Sequence, residues 1–62
     1  MKFARLKDQY DKENYINVER VNFVRQYDET TTEINFGDKE SNVYVKMPAS
    51  AVVSALGSAG KF

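Results

Sequence analysis

Tyr15-Ile-Asn-Val-Glu-Arg-Val-Asn-Phe-Val-Arg-Gln-Tyr27 decides how this chain folds. Ile16 and Val18 alternate with polar residues, the period-two pattern of a half-buried strand. Val21, Phe23, Arg25 and Tyr27 then alternate in the opposite phase. A strand cannot change phase without turning its buried side chains to solvent. The flip at Glu19-Arg20 therefore predicts a β-bulge or a short turn that re-aims the chain. Val24 falls opposite Phe23 and leaves the second face partly apolar.

The neighbouring segments extend the β pattern in both directions. Upstream, Phe3 to Lys7 reads as a first strand, with Phe3, Arg5 and Lys7 on one face and Ala4 and Leu6 on the other. The polar run from Lys7 to Asn14 reads as a loop whose Asp and Asn side chains bond nearby backbone amides. Downstream, Asp28-Glu29 opens a turn. Thr30 to Phe36 follows as a strand, with Thr32, Ile34 and Phe36 inward and Thr31, Glu33 and Asn35 outward. Gly37 to Asn42 is a hairpin connection in which Gly37 takes a positive φ. Val43 to Met47 is the last strand, with Val43, Val45 and Met47 inward.

Pro48 stops that strand and suits the first position of a helix, where its missing N–H is no loss. A helix is expected over residues 48–56, with Ala49, Val52, Val53 and Leu56 as its apolar face and Gly57 as its stop. The fold class is α+β: a four-stranded antiparallel β-meander packed by one short C-terminal α-helix. Residues 1–57 form a single small domain and residues 58–62 a flexible tail.

Composition narrows the function classes. The chain has 62 residues, 42% of them hydrophobic, which is too apolar for a disordered segment. A core this small is marginal, and small domains often add disulfides, metals or oligomerisation. Cysteine and histidine are both absent, so disulfides and the usual zinc, iron and copper ligand sets are closed off. Oligomerisation remains. No apolar run reaches the length of a membrane span, so the expectation is a soluble protein of a reducing cytoplasm.

Between Lys46 and Lys61 no side chain is charged. A lone surface helix normally carries charge on its outer face. Here Ser50, Ser54, Ser58 and Ala51 cluster opposite the expected core face, and Ser50-Ser54-Ser58 and Ala51-Ala55-Ala59 form two ridges of small side chains that repeat every four residues. Ser50, Ala51, Ser54, Ala55 and Ser58 are therefore the candidate oligomer interface. The expected partner is a second copy of the chain, as a homodimer or higher oligomer that meets through this helix or the sheet edge beside it, or another protein.

Catalysis is not expected. No Gly-rich phosphate loop or nucleophile elbow is present, and no cofactor or metal site is assigned. Asp8, Asp11 and Glu13 lack the glycine and distal glutamate of a calcium loop and read as a solvated turn. Tyr15, Phe23, Tyr27 and Phe36 at strand spacing read as core rather than a ligand pocket. Neutral net charge disfavours nucleic acid as a partner. The alternative nucleic-acid face consists of Arg5, Arg20 and Arg25 with Tyr15 and Tyr44 as stacking groups. The leading expectation is a non-enzymatic interaction or assembly module. The alternative is an accessory protein that binds nucleic acid through that basic, aromatic sheet face.

One pattern runs through much of the chain: a first strand ending in Leu6, Tyr15-Ile-Asn17 with Val21, a Thr-rich strand ending Ile34-Asn-Phe-Gly37, Val43 and Val45, Pro48, and a helix with Val52, Val53 and Leu56. Over residues 3–56 this resembles the small FlbD-like family encoded among bacterial flagellar genes, and similar short bacterial and phage proteins. The resemblance implies a bacterial or phage origin and supplies no defined activity. The strand, Thr-containing strand and short helix are also similar, more distantly, to the LytTR DNA-binding domain.

Overall fold

A computed structural model describes residues 2–60 of the chain. Five strands and one helix follow in the order β1 (Phe3–Lys7), β2 (Glu13–Asn17), β3 (Phe23–Gln26), β4 (Thr32–Asn35), β5 (Asn42–Val45) and α1 (Ala49–Ser58). The α+β class holds, but the strands form two antiparallel sheets, not one four-stranded meander. β1 pairs with β2, and β3-β4-β5 form a three-stranded sheet. An isolated bridge between Asp8 and Val45, with Gln9 N–H donating to Tyr44 O at 2.8 Å, joins them.

The cause lies in the opening stretch. A single 3₁₀ turn, Val18–Arg20, cuts the expected long strand in two. Asn17 caps this turn by accepting from Glu19 N–H at 3.1 Å, and Val21 N–H closes it on Val18 O at 3.4 Å. A bulge would have kept the ladder in one sheet; the turn ends it. Phase restarts beyond the turn. Val21 is buried, but Val24 is the β3 residue that packs against the core, while Phe23 and Tyr27 are exposed. Tyr15 is also exposed, so of the four aromatics read as core only Phe36 packs there.

The first connection is shorter than its composition implies. Asp8 and Lys12 close a three-residue loop, with Asp8 N–H donating to Lys12 O at 2.9 Å. Asp11 takes the left-handed conformation at φ 63° that such a loop requires. Gly37 has the expected positive φ, 112°.

Nine apolar side chains make the core: Ala4, Leu6, Ile16, Val18, Val21, Ile34, Val45, Val52 and Leu56. They come from both sheets, the turn between β2 and β3, and the helix, so neither sheet has a core of its own. β4 is buried on both faces. Thr31, Glu33 and Asn35, expected outward, are 7%, 4% and 6% exposed. The central strand of a narrow sheet is covered by its neighbours' side chains, here Arg25 and Tyr44 over Glu33.

The helix also differs from expectation. Pro48 is its extended N-cap (φ −67°, ψ 154°), one residue before the first helical position. The helix continues through Gly57 to Ser58, and Gly60 at φ 101° supplies the left-handed stop. Ser58 is thus helical rather than the start of a tail, and residues 61–62 lie outside the described residues. Val52 and Leu56 are fully buried, as read from the pattern. Val53 is 41% exposed, and Ala55 and Ala59 pack on the core in its place. Small alanines let the helix lie close to its own sheet, so the buried arc turns towards them. Among the described residues, no helix is long and apolar enough to cross a membrane.

Candidate interaction surfaces

Three outward surfaces follow from this topology. The first is the outer face of β3-β4-β5. The register sets Phe23 beside Asn35 and Asn42, and Arg25 beside Glu33 and Tyr44. Arg25 Nε donates to Glu33 Oε1 at 2.9 Å, and a second guanidinium nitrogen donates to the same oxygen. The Arg25 guanidinium also lies 5.5 Å from the Phe23 ring centroid. Tyr44 O–H points to Glu33 Oε2 at 3.5 Å, and Tyr27 meets the Tyr44 ring edge-on with centroids 5.1 Å apart. Burial and the Glu33 carboxylate raise the Tyr44 phenol above its ordinary value. An open groove of ≈ 370 Å³ runs along this face beside Asn22, Asn42 and Lys39. Its amides bind the protein itself: Asn35 Nδ2 donates to Asn42 Oδ1 at 2.7 Å and Asn35 Oδ1 accepts from Gly37 N–H at 2.8 Å.

The second surface is the outer face of the β1-β2 hairpin. Arg5 faces Tyr15 across the ladder, Phe3 faces Asn17 and Lys7 faces Glu13. Arg5 Nε stands 3.8 Å from Glu13 Oε1. The Tyr15 side chain stands free of this pairing at 66% exposure.

The third surface is the outside of α1. Ser50, Ser54 and Ser58 are exposed together with Val53, and Ala51 is half-buried. Of the five candidate interface residues, the structure thus sets Ser50, Ser54 and Ser58 on one outward ridge. It leaves Ala51 at the margin and seats Ala55 against the core. Pro48 offers no side-chain cap, and the Gln26 side chain from β3 accepts from the first helical N–H, that of Ala49, at 2.8 Å; the first turn has no acidic residue and the last turn no basic one. The helix therefore lacks the charges that ordinarily oppose its dipole.

The five candidate nucleic-acid residues divide between elements. Arg5 and Tyr15 share the hairpin, Arg25 and Tyr44 share the three-stranded sheet, and Arg20 ends the 3₁₀ turn. Arg5 and Arg25 each have a carboxylate partner. Among the described residues, no three carboxylates converge on a possible metal position. Asp8 instead accepts from Tyr10 and Lys12 amides at 2.9 and 3.0 Å and from Asn14 Nδ2 at 2.9 Å. Sequence reasoning missed the buried Glu33 and the aromatic groups around it. The signal available was the eight-residue separation of Arg25 and Glu33 across a turn, which becomes a pair only once the register is known.

No family model, curated protein or solved structure matches this chain.

Proposed function

We propose that this chain is a non-enzymatic interaction and assembly module that acts as a homo-oligomer. The observation that carries this reading is the outside of α1: an uncharged ridge of Ser50, Ser54 and Ser58 beside an exposed Val53. Serine and valine are mediocre helix formers. A ten-residue helix of such composition, whose own N-cap residue Pro48 has no capping side chain, depends on packing for its stability. Its inner arc packs on the core; a partner surface against the outer ridge supplies more. The clustered side chains elsewhere point the same way. Glu33 is held by Arg25 and Tyr44, and the turn aspartates bond backbone amides. These groups brace the fold instead of facing a reacting centre.

Self-association linked to folding makes the melting temperature depend on chain concentration. Thermal unfolding over a hundredfold concentration range is expected to show a midpoint that rises with concentration. A midpoint unchanged over that range overturns the proposal.

A further inference from the structure

The two sheets have four edge strands, β1 and β2 in one and β3 and β5 in the other. The Asp8–Val45 bridge and the Gln9 N–H to Tyr44 O bond run where the ends of β1 and β5 meet, and β2 and β3 lie on the sides away from that junction. They are not equivalent. β3 has four residues, and Gln26 near its end accepts from Ala49 N–H at 2.8 Å, which ties the start of α1 to it. β2 is one residue longer, Glu13-Asn-Tyr-Ile-Asn17. It contains no lysine, proline or bulge, three of the devices by which proteins blunt an exposed edge, and its one charged residue, Glu13, stands at its start.

The orientation of the β2 backbone follows from its flanks. Asp8 N–H donates to Lys12 O, and Val18 N–H donates to Lys2 O. Hydrogen-bonded pairs recur at every second residue of an antiparallel ladder. Asn14 and Ile16 therefore turn their N–H and C=O groups to β1, and Glu13, Tyr15 and Asn17 turn theirs outward. Among the described residues, β2 pairs with β1 alone.

We infer that β2 is the seam at which two copies of the chain join, antiparallel about a two-fold axis through Tyr15, to form a continuous four-stranded sheet. This rests on the homo-oligomer reading and adds a contact separate from the α1 ridge. The sequence of β2 is self-complementary in that register. Tyr15 meets Tyr15, and Glu13 meets Asn17, so no like charges face each other. On the outer face the middle row becomes Arg5-Tyr15-Tyr15-Arg5, an aromatic pair flanked by guanidinium groups. The rows beside it read Lys7-Glu13-Asn17-Phe3, with the opposite charges of Lys7 and Glu13 adjacent. On the inner face Ile16 stands beside Asn14 of the second copy. The outward groups of Glu13, Tyr15 and Asn17 then exchange hydrogen bonds across three facing pairs. The seam is small by the measure of stable interfaces, so the dimer is dynamic and dissociates on dilution.

The test uses Tyr15→Lys and Tyr15→Glu in the full chain, each followed by sedimentation velocity, with circular dichroism to check folding. The side chain is exposed, so both variants should melt like the unmodified chain under dilute, dissociated conditions. Each variant alone should dimerise about tenfold or more weakly, because like charges face each other on the axis. An equimolar mixture should recover the dimer, because opposite charges then meet. Unmodified dimerisation in either variant, or no recovery on mixing, overturns the β2 seam while leaving self-association in place. A monomeric unmodified chain at every concentration overturns both.

Discussion

Thr32 shows how one hydroxyl can position an element. It is fully buried, and its Oγ1 donates to Met47 O at 2.6 Å, immediately before Pro48 turns the chain into α1. Thr32→Val keeps the shape and removes the donor, leaving a shielded carbonyl unsatisfied. The expected loss is about 1–3 kcal/mol, read from urea unfolding, whereas Thr32→Ser should retain the bond and lose less. Three aspartates do similar work at the turns. Asp8 is held below the usual carboxylate value first by the Asn14 side chain and then by Lys12 N–H, Asp28 first by Thr30 N–H, and Asp38 first by the Ser41 side chain and then by Glu40 N–H. A lowered folded value means that the unfolded chain binds the proton more readily. Their contribution to stability is complete above the unfolded value of about 3.9 and is lost as pH falls through the lowered folded values. Melting temperature should therefore drop below pH ~4, and replacing all three with asparagine should flatten that acid limb. An acid limb of unchanged steepness in the triple variant would show that other groups control it.

At the scale of elements, α1 gives the sharpest contrast. Leu56 is fully buried and Val53 is 41% exposed, although sequence periodicity put both on the core face. Leu56→Ala should cost about 2–5 kcal/mol, enough to unfold much of so small a domain. Val53→Ala should change monomer stability little, as surface substitutions do. Comparable losses at the two positions, measured under dissociating conditions, would contradict this placement of the helix. The alternation in Phe3–Lys7 was legible because a hairpin strand exposes one face and buries the other. That in Thr32–Asn35 was not, because a strand between two neighbours buries polar residues such as Glu33 under their side chains. The phase flip at Glu19-Arg20 was also visible, but a bulge and a 3₁₀ turn leave the same mark on the sequence. Only the capping of Val18–Arg20 by Asn17 distinguishes them. Gly57, the expected stop, is instead helical, and the positive φ that ends the helix falls at Gly60, beyond Ala59 packed on the core.

Across the whole molecule, one bridge between Asp8 and Val45 makes two small sheets share a core with one helix. The candidate interface was partly legible. The missing charge between Lys46 and Lys61 marked the helix, and its serine ridge does face outward. The alanines at 55 and 59 serve the chain's own core, a choice that depends on where the sheet lies. A sheet edge beside the helix was the alternative contact, but β2 was not singled out, because sequence alternation cannot tell which strand ends a sheet. Self-association is the proposal that binds these surfaces together, and sedimentation equilibrium of the unmodified chain tests it most directly. Weight-average mass should climb from that of one chain at low micromolar concentration towards at least two chains at millimolar concentration. A mass of one chain throughout would contradict it.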